Sequence, residues 1–312
     1  NYWTVKRYVF KSKMKPTCFS TSDFYPIINK NAKVTYNTLP SGHKVITIDD
    51  VFENIDELTS DNMIQYLNSL GMGEEVSNPN YPGTQMPMTN SNPNLLKEIK
   101  ALVKGHSDFQ KTKSVSPTME FSIGHKFKPQ SIYTTNPHTD DVIPGMYAVM
   151  VYLNKPDDCW GGTDIFRSKN INRIQWPIYS TTPNKDDLEK TNNLIYNTPT
   201  GSNLKEGCGQ IINDKQWEVV KHFKMKYNRM VIYESSLFHC MHLDTFDRFK
   251  DKKRYTLNFW IDKLPFVRRD HGRDHPGQMY ENGLISERAC DAVMEKGPEY
   301  VTAWTYMKYM TN

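Results

Sequence analysis

At 312 residues, with 38% hydrophobic and 24% charged content, the chain is long enough for one large domain, or one domain with appendages, around a sizeable core. A formal charge of +4 with acids and bases interspersed leaves no clustered basic stripe, so nucleic acid is not expected as a partner. No apolar run approaches the ~18 residues of a membrane span, so none is expected to cross a membrane. Cys18, Cys159, Cys208, Cys240 and Cys290 are scattered without a C-x-x-C. They point to a soluble protein of a reducing compartment, cytoplasm or organelle lumen, with no disulfide framework and no structural zinc. Because the chain begins at Asn1, a removed leader is left open.

Residues 1–43 are polar with short aromatic runs and are expected to wrap the core as short strands or loops. Lys44–Ile48 reads as a strand. A helix capped by Ser60 or Asp61 should follow, with Met63, Ile64, Leu67 and Leu70 on one face and Gly71 at its end. Asn78–Gly83 reads as a turn. A second amphipathic helix carries Leu95, Leu96, Ile99, Leu102 and Val103 at i, i+1, i+4, i+7 and i+8. Strands are then expected at 118–123, 131–135, 146–153, 217–220, 223–227, 230–233 and 255–261. The polar stretch 167–216 is an insertion long enough to act as a lid, with a short helix near 186–195. Residues 285–310 read as helical, broken at Gly297-Pro298, in a C-terminal extension over 266–312. Many short strands with turn signals predict a mainly β fold with flanking helices, its core over 44–265 an antiparallel barrel or double-sheet jelly roll.

Within those strands lies Asn136-Pro-His-Thr-Asp-Asp141. In an extended segment, His138 and Asp140 share a face, and an imidazole with a carboxylate suits a hard-to-borderline ion such as Fe(II), Mn(II) or Zn(II). Alone the pair is turn chemistry, since Asn-Pro-x-x-Asp caps and turns are common. A later imidazole, His239 or His242, would complete a facial triad of two His and one carboxylate, the arrangement of non-haem Fe(II) oxygenases. Arg254 stands in an otherwise apolar, aromatic strand, where an unpaired charge is costly and a partner is required.

The order of these motifs resembles the Fe(II)/2-oxoglutarate-dependent oxygenases, in their prolyl-4-hydroxylase-like branch, and Ile48–Phe52, Tyr81-Pro-Gly83 and Asn228-Arg229 look like a bacterial and phage-type subgroup of that superfamily. The matching residues are Pro137–Asp140, Tyr152-Leu-Asn154, Gly161-Gly-Thr163, Ser236-Leu-Phe-His239 and Arg254–Trp260, within about residues 44–262. The resemblance implies a double-stranded β-helix (jelly-roll, cupin-like) core. It implies iron ligands His138, Asp140 and His239, with His242 as the alternative third ligand. Arg254, Thr256 and Tyr152 would hold the distal carboxylate of 2-oxoglutarate, with Fe(II), 2-oxoglutarate and O2 as cofactors and ascorbate as an admissible reductant. Asp140 fills the position a halogenase needs vacant. Collagen-type prolyl hydroxylases carry lysine where this chain has Arg254, which weakens a collagen-like substrate.

The implied activity is oxidation of an unactivated C–H bond, by hydroxylation, cyclisation or desaturation, with release of succinate and CO2. The expected partner is a small-molecule substrate, amino-acid-derived and anionic; the oligomeric state is left open. A prolyl or other protein hydroxylase is the alternative, and an inactive cupin-like binding barrel the alternative from another class. A zinc hydrolase could use the same three ligands, but needs no second carboxylate anchor like Arg254. His271-Gly-Arg-Asp-His275 and the Arg268, Arg269 and Arg273 run read as solvated loop. His43, His106, His125 and His222 have no evident partner.

Overall fold

The computed structural model of the chain describes residues 23–59, 83–116, 118–124, 137–140, 145–177, 190–191, 193–194, 216–242 and 253–263. Two sheets face each other. The larger runs in the order β1 (Asp23–Phe24), β4 (Gly83–Asn90), β6 (Thr118–Gly124), β12 (Arg254–Asp262), β7 (Tyr147–Tyr152), β10 (Arg229–Glu234), β3 (Lys44–Asp49), β2 (Lys33–Thr38), with β5 (Ser114–Val115) also on β12. The smaller orders β11 (His239–His242), β8 (Gly162–Ser168), β9 (Trp217–Lys224). All pairings are antiparallel except β1 with β4.

From β6 onward the chain alternates between sheets, except that β8 and β9 follow one another in the smaller. β6, β7, β10 and β12 lie in the larger, while the bridge at His138 and β8, β9 and β11 lie in or against the smaller. This is a double-sheet jelly roll with flanking helices, the fold class expected from the strand pattern.

Side-chain alternation sorts the two faces of the large sheet. On β12, Leu257, Phe259 and Ile261 join the first core cluster with Ile46, Ile48, Val149 and Val151. Helix α1 (Ile55–Thr59) and helix α2 (Leu95–Leu102) close that face, burying Ile55, Leu58, Leu95 and Ile99. Each such side chain contributes roughly 1.5–3 kcal/mol when fully buried. A short helix α3 (Ser107–Gln110) is capped by His106, whose Nδ1 accepts from Phe109 N at 3.1 Å. Burial lowers the His106 pKa, which keeps the ring a neutral acceptor. The opposite face meets the small sheet, where Val45, Ala148, Tyr152, Val231 and Tyr233 pack on Ile165, Phe223 and Leu237.

Three local expectations change. Residues 217–224 form one strand rather than two, because Lys221 and His222 are tolerated on an edge strand with an open face. Strand β4 was hidden by Pro87, which sits opposite Glu120 in the β4–β6 ladder. β2 and β3 pair as a hairpin across position 43, so this part of the N-terminal segment belongs to the sheet. The helix expected after Ser60, the strand at 131–135, most of the 167–216 insertion and the C-terminal extension lie outside the described residues. Among the described residues no helix is long and apolar enough to cross a membrane.

Candidate metal centre

Backbone pairing brings the first histidine to the second. His138 N donates to His239 O at 2.9 Å, and His239 N donates to His138 O at 2.8 Å. Two residues on, Asp140 N donates to Ser235 O at 3.0 Å, so the 138–140 segment is fixed against the approach to β11. Extended geometry then puts His138 and Asp140 on one face. One ligand atom from each of His138, Asp140 and His239 lies within 4.8 Å of the others. The His138 and His239 ring centres are 4.6 Å apart, and His239 Nε2 is 3.5 Å from Asp140 Oδ1.

The tautomer of His239 is set by the chain itself. Its Nδ1 lies 2.9 Å from Leu237 O, a carbonyl that can only accept, so Nδ1 carries the proton in the neutral ring. Nε2 then turns its lone pair toward Asp140. This is the outer hydrogen bond that orients metal-binding imidazoles. His239 is buried, whereas 27% of the Asp140 side chain is accessible. Burial acts to raise the Asp140 pKa, but the charge and hydrogen bond of His239, with His138, outweigh it and hold the carboxyl below its ordinary value. For His239 burial acts to lower the pKa, and Asp140 with the Leu237 carbonyl raises it overall. Protonation of the pair therefore competes with cation binding.

The inner face of the large sheet supplies a polar row beside this group. Alternation places Arg254, Thr256 and Asn258 of β12 on that face, with Thr256 opposite Tyr152 of β7 and Ser122 of β6. Asn258 Nδ2 donates to Ser122 Oγ at 3.0 Å and to Thr256 Oγ1 at 3.3 Å. The Tyr152 hydroxyl shares a 2.8 Å hydrogen bond with Thr163 Oγ1 of the small sheet. Glu120 is nearby, its carboxyl pushed up by burial and then by the charge of Asp140.

Arg254 is only 2% exposed. Its NH2 group reaches Met150 Sδ at 3.5 Å and Gly162 O at 3.4 Å, and its buried Nε has no hydrogen-bond partner. Among the described residues no carboxylate comes within ion-pair distance of it. A buried guanidinium with so little compensation is costly without an anionic partner. Tyr233 ties the two halves together. Its ring centre is 4.7 Å from that of His239. Its hydroxyl pKa is raised well above normal, by burial first and then by Asp140 and Tyr152, while Arg254 acts in the opposite sense. One phenol thus feels both the carboxylate and the guanidinium.

His242 is not part of this group. It lies with Asp164 and His222 in a second cluster, which sequence reading did not find. His271, His275, Arg268, Arg269, Arg273 and His125 lie outside the described residues.

A model of a family described as a family of unknown function (DUF6445) matches residues 30–261. No curated protein matches the chain. Similar solved structures include EvdMO1, at 10% identity and a TM-score of 0.35 over 69% of this chain and 46% of that one, so the chain spans less than half of its length. The non-haem α-ketoglutarate-dependent carbocyclase SnoK from nogalamycin biosynthesis is 8% identical, with a TM-score of 0.36 over 70% of this chain and 79% of its own. A Pseudomonas putida prolyl-4-hydroxylase is 11% identical, with a TM-score of 0.28 over 67% of this chain and 97% of its own. Likeness at this level carries no argument about chemistry, which rests on the side chains above.

Proposed function

Because the chain belongs to DUF6445, a family of unknown function, its activity has to be read from its own side chains, and we propose an iron(II)- and 2-oxoglutarate-dependent oxygenase. His138, Asp140 and His239 would hold the iron, and Arg254, with Thr256 and Tyr152, the far carboxylate of 2-oxoglutarate. The observation that carries the reading is Arg254, a buried cation lacking a carboxylate partner among the described residues, in the same interior as a His/Asp/His group. Two imidazoles and one carboxylate fit a borderline divalent ion and leave coordination positions for other ligands.

When bound, iron, 2-oxoglutarate and O2 supply the oxidation of a C–H bond with release of succinate and CO2. The protein's own contribution is placement. Arg254 offers a planar fork for two parallel hydrogen bonds to a carboxylate. Leu237 O holds the His239 ring in one tautomer and orientation. Asp140 brings the negative charge that favours a cation over a proton. Tyr152, Tyr233 and Leu237, all buried, exclude water from the inner face.

The substrate we propose is small and amino-acid-derived. Glu120, Ser122 and Asn258 extend the polar inner row past Thr256, and suit an ammonium and hydroxyl-bearing ligand better than an apolar one. Anaerobic calorimetry of 2-oxoglutarate with the Fe(II)-loaded protein tests the cofactor site. Arg254→Met should weaken binding about 100-fold, the loss of two charge-assisted hydrogen bonds. Unchanged affinity in that variant would remove the proposed anchor. Succinate release stimulated by peptides and not by free amino acids would instead favour the protein-hydroxylase alternative.

A further inference from the structure

We propose a second metal site, on the other face of the small sheet, built from Asp164, His222 and His242 and taking a borderline divalent cation such as Zn(II). Thr163 and Ile165 point into the interior, toward Tyr152 and its cluster, so Asp164 between them points away from it. On β9 the register partner of Asp164 is His222. On β11 the partner is Cys240, and His242, two residues further, shares its face. Three strands thus deliver two imidazoles and a carboxylate to one spot, separated from the first group by the thickness of the sheet.

The donors are already gathered by hydrogen bonds. Asp164 Oδ1 lies 2.7 Å from His222 Nδ1, and Oδ2 lies 2.6 Å from His242 Nδ1. Tetrahedral bonds of about 2.1 Å set neighbouring donors about 3.4 Å apart, so an ion entering between the hydrogen-bonded partners has to part them by less than about 1 Å. The ring centres of His222 and His242 are 4.3 Å apart, and one donor from each residue lies within 4.8 Å of the others.

Charge is the second argument. The Asp164 side chain is 2% accessible, while His222 and His242 keep 36% and 32%. Among the described residues no lysine or arginine reaches Asp164 within ion-pair distance. A divalent cation held by both imidazoles would neutralise the buried carboxylate as well as coordinate it. The rings form an accessible lip through which an ion can enter. Cysteine spacing gives no zinc site in this chain; here the donors are imidazole and carboxylate, which zinc accepts equally.

The ion would act as a staple across β9, β8 and β11. His242 is three residues from His239 on β11, so the staple also braces the strand that carries the buried imidazole of the first group.

Zn(II) titration against a chromophoric chelator tests this in a His138→Ala/His239→Ala background, where the first group is disabled. We expect one equivalent bound there, weakened at least 100-fold on adding His222→Gln and His242→Gln. Zn(II) should raise the melting temperature of the background and leave that of the Gln variant unmoved, with equal metal-free melting temperatures showing an intact fold. If the double Gln variant does not fold, His222→Gln alone, at a third-exposed ring, serves. A background that binds no Zn(II), or binds it equally with the Gln substitutions, overturns the proposal and leaves a hydrogen-bonded His–Asp–His brace. With the first group's ligands removed, neither result depends on the oxygenase reading.

Discussion

The guanidinium carbon of Arg254 stands 5.6 Å from the centre of the Tyr152 ring, diagonally across the β12–β7 ladder. The aromatic face offers the cation some electrostatic relief, but no counter-charge. Arg254→Met therefore separates function from stability. It should weaken 2-oxoglutarate binding about 100-fold while raising folding stability by roughly 1–4 kcal/mol, since an uncompensated buried ion gives way to an apolar side chain. Chemical denaturation of metal-free protein measures it, and a strongly destabilised variant would show that Arg254 has a structural counter-ion.

Tyr152→Phe should be milder. It removes the 2.8 Å bond to Thr163 between the two sheets, at a cost of about 0.5–1.5 kcal/mol. The KM for 2-oxoglutarate should rise no more than about tenfold, well short of the Arg254→Met effect. Steady-state kinetics of the two variants side by side gives the ranking.

Asn228 holds the turn before β10 to a segment 176 residues away. Its Oδ1 accepts from Phe52 N at 3.1 Å and its Nδ2 donates to Phe52 O at 2.8 Å, while its own φ is 56°. Asn228→Ala leaves two buried backbone groups unpaired and puts a Cβ-bearing residue without a local hydrogen bond in the left-handed region. The expected loss is about 3–5 kcal/mol. Asn228→Gly keeps the unpaired groups but relieves the backbone, so it should cost about 1 kcal/mol less. Urea midpoints distinguish the two.

Asp49 and Arg229 are register partners on β3 and β10, joined by Arg229 Nε at 2.5 Å and NH2 at 3.0 Å. The hydrogen bond from Arg229, larger than the opposing effect of burial and aided by Lys226, lowers the Asp49 pKa from 3.8. A carboxyl depressed in the folded state stabilises above its unfolded pKa and loses that contribution as pH falls through the folded value. Stability should therefore drop below about pH 4 in the wild type. Asp49→Asn should be about 1–2 kcal/mol less stable at pH 7 and show a shallower acid limb. Identical acid limbs would rule out the contribution.

The strand pattern and the Leu95–Val103 stripe were legible because alternation and helical periodicity are local properties. Arg254 was legible because a charge inside an aromatic strand is locally anomalous. The choice between His239 and His242 was open in the sequence, yet parity bears on it: an odd separation on one strand sends the two rings to opposite faces. Asp164 and His222 were not legible. They are 58 residues apart, and only the β8–β9 register, shifted by an irregularity at Ile165/Phe166, makes them neighbours. Proline in β4 and charge in β9 masked strands for the same reason: β1 covers β4 only at Thr89 and Asn90, leaving Pro87 on an open edge as β9 is, and edge position is a tertiary fact.

The most direct test of the oxygenase reading is oxygen-dependent conversion of 2-oxoglutarate to succinate by the Fe(II)-loaded protein, alongside His138→Ala and Arg254→Met. The account predicts succinate in the wild type, none in His138→Ala, and in Arg254→Met only at 2-oxoglutarate concentrations about 100-fold higher. Wild-type protein that binds Fe(II) but makes no succinate, with or without amino-acid or peptide substrates, would contradict it.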